Sequence, residues 1–258
     1  MKLFPILLFS ATVISIASCS IKEDRSGCPC VLTIDASNIR ADEISIICSN
    51  TSRLLKTVLI PIETGPILRI NVPRGHVNVA TYTGNEFSKE QNDTLVIPYG
   101  KEADCIYANA CQINTDAETA YTRIALNKQF ARISLEFANL PEDWSVLNTK
   151  LTVSGKTNGL SLNDLSPSEG EFKCDVAPDN KGIFSFKVPR QKGNDLYCRI
   201  ENEEQISAPI ALGEILESIG FDWTKENLDD ISLELEFPSS VISVSITDWE
   251  DINTDIVL

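Results

Sequence analysis

The sequence predicts an all-β protein: two antiparallel β-sandwiches in tandem, the second carrying one short helix. Three observations lead there. Short runs rich in β-branched residues, many alternating apolar with polar, recur from Val31 onward. Turn residues separate them, as at Gly65-Pro66 and Pro73-Arg74-Gly75. Helical periodicity appears at a single place. Strands this short and this frequent pair into sheets whose apolar faces must cover one another, which is a sandwich.

The chain opens with a different signal. Lys2 precedes an apolar run from Leu3 to Ile16. At 1.5 Å per helical residue that run is too short for about 30 Å of hydrocarbon. It suits the apolar core of a signal peptide. Ile16-Ala17-Ser18-Cys19 then resembles a lipobox, with cleavage between Ser18 and Cys19 and a diacylglycerol on the Cys19 thiol. The alternative is an ordinary secretory signal in which Cys19 is one more thiol. Residues 1–18 are thus read as signal peptide and 19–30 as a lipidated tether. Each buried acyl methylene contributes about 0.8 kcal/mol, so two or three chains hold the body at a membrane. The acidic Lys22-Glu23-Asp24 just after the anchor resembles the surface-export signal of Bacteroidetes lipoproteins.

The first sandwich is placed at 31–126. Its expected strands are 31–36, 43–48, 54–60, 66–72, 76–83, 94–98, 104–108 and 121–126. In the first, Leu32, Ile34 and Ala36 form the apolar face, opposite Val31, Thr33 and Asp35. The second sandwich is placed at 127–258, joined near Ala125–Lys128 without a Pro- or Ser-rich linker, so the two should abut. The run from Gln129 to Phe137 has one of the cleaner period-2 patterns, followed by strand-like runs at 149–154, 171–176, 182–188, 195–201 and 206–210. Asn158-Gly159 reads as a hairpin turn, and Gly155-Lys156-Thr157 as another, since no phosphate-loop glycine precedes it. The helix is expected at 211–219, stopped by Gly220. Strands close the chain at 230–237 and 241–249.

Composition narrows the partners. With 22 basic and 37 acidic residues the net charge is −15, which repels nucleic acid and anionic headgroups. Eight cysteines suit an exported protein. With Cys19 acylated, an odd number remains. Cys105–Cys111, across a short connection, is the first candidate disulfide, and Cys174–Cys198 the second. Cys28 or Cys30 could instead bond Cys48 or a later cysteine, and connectivity stays open.

Catalytic patterns are sparse. His76 is the only histidine, and no Gly-x-Ser-x-Gly elbow accompanies a serine. Cys28-Pro29-Cys30 lacks the second ligand pair that structural zinc needs. Asp229-Asp230 and the cluster Glu201, Glu203 and Glu204 read as solvated turns, and Trp144, Trp223 and Trp249 as caps on a sandwich core. No enzyme activity, cofactor, metal or small-molecule substrate is expected. Asp93-Thr94-Leu95 fits the Bacteroidetes O-glycosylation pattern, with Thr94 as acceptor.

The lipobox cysteine, Ile21-Lys22-Glu23-Asp24-Arg25 and Cys28-Pro29-Cys30 together resemble the fimbrial anchor and minor fimbrillin lipoproteins of Bacteroidales (FimB-like). His76–Gly84, Asn127–Ile133 and Ile242–Trp249 are similar to that family's later strands. The resemblance implies two transthyretin-like sandwiches and a pilus subunit held in the outer membrane by lipid. It also implies fimbrial stalk subunits as partners, joined by β-strand complementation. In stalk subunits of the family an arginine-specific protease removes the lipidated first strand, whereas an anchor keeps it. Arg40, just after the first strand, is the candidate site for such a cut, and the tail after Trp249 is a candidate donor strand or a frayed end. A surface glycan-binding lipoprotein, or a protease-matured stalk or tip fimbrillin, is the alternative.

Overall fold

The computed structural model describes residues 27–39, 41, 43–50, 53–61, 67–140, 148–202, 206–236 and 240–247. The expected signal peptide, Cys19, Arg40 and the tail after Trp249 lie outside them, as do Trp144 and Trp249.

The described chain is a strand protein with one helix, α1, Leu212–Ser218. The first sandwich opens with β1 (Cys30–Asp35), β2 (Glu43–Asn50), β3 (Arg53–Pro61), β4 (Ile67–Val72) and β5 (His76–Thr83). After β6 (Lys89–Gln91) and β7 (Thr94–Val96) come β8 (Tyr107–Asn114), β9 (Thr119–Arg123) and β10 (Asn127–Lys128). One sheet has the order β4-β1-β9 and the other β10-β8-β5-β2-β3. The expected apolar face of β1 is the core face: Leu32, Ile34 and Ala36 are all fully buried. They pack with Ile44, Ile46, Val77 and Val79 of the facing sheet.

The second sandwich follows with β11 (Phe130–Ala138), β12 (Lys150–Ser161), β13 (Pro167–Val176), β14 (Phe184–Pro189) and β15 (Tyr197–Glu201). After α1 it ends with β16 (Asp230–Glu236) and β17 (Ser240–Thr247). Its sheets have the orders β14-β11-β16-β17 and β13-β12-β7-β6, with β15 on the same edge of β12 as β7, opposite β13. Phe172, Phe184, Phe186, Ile133, Leu135 and Leu233 fill the space between them. Gly220, at φ +81°, takes the left-handed conformation just past the helix, as its role of stop requires.

The two halves repeat one connectivity that no residue-level similarity betrays. In the first, β1 pairs antiparallel with β4 and parallel with β9. In the second, β11 pairs antiparallel with β14 and parallel with β16. The second half then adds β17, antiparallel to β16, where the first sheet stops at β9.

Several expectations are corrected. The residues 94–98, assigned by sequence order to the first sandwich, begin in a hairpin whose β7 pairs with β12 of the second. Asn92 and Asp93, at φ +48° and +58°, form its two-residue turn. This hairpin covers the outer side of the first sandwich: Leu95, Leu160 and Leu162 pack on Ile47, Ala80, Tyr82 and Ala108. That second contact explains why β2 is apolar at all but Ser45 from Ile44 to Cys48, since these residues are buried on both faces. Asn158-Gly159 and Gly155-Lys156-Thr157 are not turns but lie within β12, at register shifts against β13. Close approach favours Gly159, because a Cβ there would sit a tight 3.1 Å from Leu95 O and from the Thr94 and Ser168 side chains. Residues 206–210 form no continuous strand and reach β15 through isolated bridges, Glu201 to Ile206 and Cys198 to Ile210, and through Ser207 hydrogen bonds to Ile200.

Candidate functional site

β1 is the element on which the sequence-level function turns. It begins at Cys30, at the end of the stretch that the sequence marks as an expected tether, so whatever holds Cys28 and Cys30 fixes the start of the described chain. Arg74, in the Pro73-Arg74-Gly75 turn, donates from Nε to the Cys28 carbonyl at 2.8 Å and from Nη1 to the Asp116 carbonyl. Its guanidinium therefore joins the entry of β1 to the β8–β9 connection. Cys30 is fully buried beside Val72 on β4, while Cys28 is exposed.

At the other end of β1, Tyr121 donates from its hydroxyl to Asp35 Oδ2 at 2.6 Å, and the Ser37 backbone N–H donates to Oδ1 at 2.9 Å. Hydrogen bonds from Ser37 and then Tyr121 hold the Asp35 carboxyl at about 2, below the ordinary carboxylate range. A carboxyl depressed in the folded state stabilises it above the unfolded pKa and loses that contribution as pH falls toward 2. Acid unfolding between about pH 4 and 2 should therefore be shallower for Asp35→Asn than for the parent chain. Equal slopes in that window, read by circular dichroism, would count against this arrangement.

The joint between the sandwiches is tied by polar groups rather than a linker. Lys128 is 1% exposed, with Nζ 2.5 Å from Asp230 Oδ1 and 4.9 Å from the centre of the Phe130 ring. Asp230 Oδ1 also accepts the Arg132 N–H at 2.7 Å. Arg190 donates from Nε to Gln129 Oε1 at 3.0 Å and from Nη2 to the Glu226 carbonyl at 3.1 Å. Asp229 is likewise engaged, accepting from Lys225 at 2.8 Å. The Asp229-Asp230 pair thus serves two separate ion pairs, and Glu201 pairs with Lys150 at 2.5 Å.

A cleft of about 600 Å³ opens beside the irregular stretch of β12, lined by Gly155, Lys156, Thr157, Glu169, Gln191 and Asp195 among others. Lys156–Asp195 at 3.0 Å and Lys192–Glu169 at 2.6 Å line its rim. The Asn158 amide packs over Gly170 there, 2.0 Å from where a Cβ would sit, so a larger residue would have to displace that side chain.

The candidate disulfides do not form. Cys105, Cys111, Cys174 and Cys198 are free thiols. Cys105 lies ahead of β8 and Cys111 inside it, so extended chain at about 3.3 Å per residue separates them instead of a turn. Cys174 and Cys198 stand on opposite sides of Val153, one on β13 and one on β15. Two ladder spacings of about 4.8 Å exceed the Cα separation a disulfide spans. Burial pushes both thiols up to about 12, so they act as small core hydrophobes. Thr94 is half-buried at the start of β7, paired with Gln91 and Ser161. Trp223 packs edge-on against Phe221, at 4.6 Å between centroids, and His76 is exposed at the start of β5.

Sequence reasoning did not find Arg74, Lys128 or the β6–β7 hairpin as linking elements. Asn92-Asp93 between the polar Lys89–Gln91 and the apolar Leu95–Ile97 was the available sign of the hairpin.

No family model and no curated protein sequence matches the chain. Solved structures do. A protein from Bacteroides thetaiotaomicron described as polysaccharide-binding is similar over 85% of this chain and 96% of its own, with TM-score 0.61 at 12% identity. The fimbrial anchor protein Mfa2 from Porphyromonas gingivalis is similar over 86% and 98%, with TM-score 0.57 at 10% identity. A Bacteroides ovatus protein described as an adhesin gives 89% and 96%, with TM-score 0.55 at 11% identity. The chain therefore has the two-sandwich fold found in these fimbrial and adhesin proteins of Bacteroides and Porphyromonas.

Proposed function

We propose that this protein is a lipid-anchored fimbrial subunit, the anchor that terminates a fimbria and fixes it at the outer membrane, and that it is not an enzyme. The observation that carries the reading is the place of β1. The strand leading from the tether is the middle strand of its sheet, with its apolar side fully buried. A lipid on Cys19 would then pull on the core of the first sandwich rather than on a loose end. The fold shared with a fimbrial anchor protein supports the same reading.

Deleting the gene tests it. Fimbriae should appear in the culture medium instead of on cells, and re-expression should return them to the surface. Unchanged surface fimbriae in the deletion strain would sink the proposal. A glycan-binding role is the second reading, favoured by the cleft beside β12 and by the fold shared with the protein described as polysaccharide-binding. Among the described residues, however, no row of exposed tryptophans lies beside it, and Trp223 is packed on Phe221.

A further inference from the structure

β17 is the last strand of its sheet, and no other described strand pairs with its outer edge. Proteins ordinarily blunt such an edge with lysine, proline or a short strand. Ser-Val-Ile-Ser-Val-Ser-Ile-Thr, residues 240–247, has eight residues and contains no charge, proline or glycine, in a chain with 37 acids and 22 bases.

Its register adds a second anomaly. Val244 lies opposite Leu233 and Ile246 opposite Ile231, two core residues exposed only 3% and 2%. Val244 and Ile246 therefore point to the core side, yet they are 38% and 42% exposed. The facing sheet ends at β15, whose outer edge is occupied by hydrogen bonds with Ile210 and Ser207. That leaves the core side of β17 half-covered. Among the described residues the corresponding sheet of the first sandwich stops at β9, with no counterpart of β17.

The geometry points to β17 as a docking edge for an extended strand of a neighbouring fimbrial subunit, added alongside β17 with branched apolar residues over Val244 and Ile246. This is an addition at the sheet's rim, distinct from replacement of β1, and it rests on the reading of the chain as a fimbrial subunit. Backbone hydrogen bonds would supply affinity and the alternate apolar side chains register. Charge selects the partner. A second copy of this chain would bring another net −15 to the contact. On its solvent face β16 presents Glu234 and Glu236 opposite Ser243 and Ser240. A strand from a different subunit, with lysine, arginine, serine or threonine at its outward positions, suits that face.

The test uses the full-length protein and fimbriae collected from the medium of the deletion strain. Val244→Lys with Ile246→Lys should weaken binding of those fimbriae about tenfold or more and release fimbriae from cells, with surface level and melting temperature kept. Ile67→Lys, at a position 56% exposed on another sheet, should leave binding unchanged. On adding fimbriae to the parent protein, amides of 240–247 should gain protection from hydrogen exchange, a readout that stands even if the double variant misfolds. Unchanged binding by a folded double variant, or no protection in β17, overturns the docking edge. If the deletion strain sheds fimbriae in that case, the anchor reading survives; if it sheds none, the anchor reading fails on its own.

Discussion

Asp230→Ala is expected to lower the stability of the second sandwich and its joint by about 3–5 kcal/mol. The substitution leaves the Lys128 ammonium in a site where its side chain is 1% exposed and removes the acceptor of the Arg132 N–H. Burial already pulls Lys128 below the ordinary lysine value, opposed by Asp230. Without the carboxylate that depression grows. A lysine whose folded pKa lies below its unfolded one costs stability wherever the unfolded chain binds the extra proton, and the cost fades as pH rises. The deficit of the variant should therefore shrink from pH 7 toward pH 10. Lys128→Met, which keeps the stem over Phe130 and removes the charge, should cost less than Asp230→Ala. Urea unfolding of the two variants checks both statements. Equal, small losses would mean that the pair is effectively solvated.

Leu95→Ala is expected to cost about 2–5 kcal/mol, the range for a leucine emptied from a packed site, and to loosen one sandwich from the other. Leu95 is 2% exposed, and its hairpin is the element that belongs by sequence to the first half and by pairing to the second. Calorimetry should show the parent chain melting as one unit and the variant in two steps. A variant that melts in a single transition at the parent temperature would show that the interface around Ile47, Tyr82 and Leu160 contributes little.

These effects mark where sequence was informative. Period-2 runs with one buried face were legible: His76–Thr83 is a strand at both expected ends, and Leu32, Ile34 and Ala36 face the core as alternation requires. β8 was misplaced because Asn109, Gln112 and Asn114 break the apolar pattern of Tyr107–Asn114 and only its first two residues are buried. β12 was split because Gly155 and Gly159 carry the ordinary signs of turns, yet they serve register shifts and a close approach to β7. The parallel pairings of β1 with β9 and of β11 with β16 join residues far apart in the chain, and no local pattern encodes them. The cysteine pairings failed for the same reason. Val153 separates Cys174 from Cys198 only once three strands are assembled. Of the candidate interfaces, the uncharged composition of Ser240–Thr247 was visible from the start, but its position at a sheet edge was not.

The intact mass of the protein extracted from its native outer membrane tests the central claim most directly. An anchor retains its first strand, so the expected mass is that of acylated Cys19 through Leu258. A chain beginning at Ala41 would contradict this, because cleavage after Arg40 would have removed β1 from the middle of its sheet and with it the lipid.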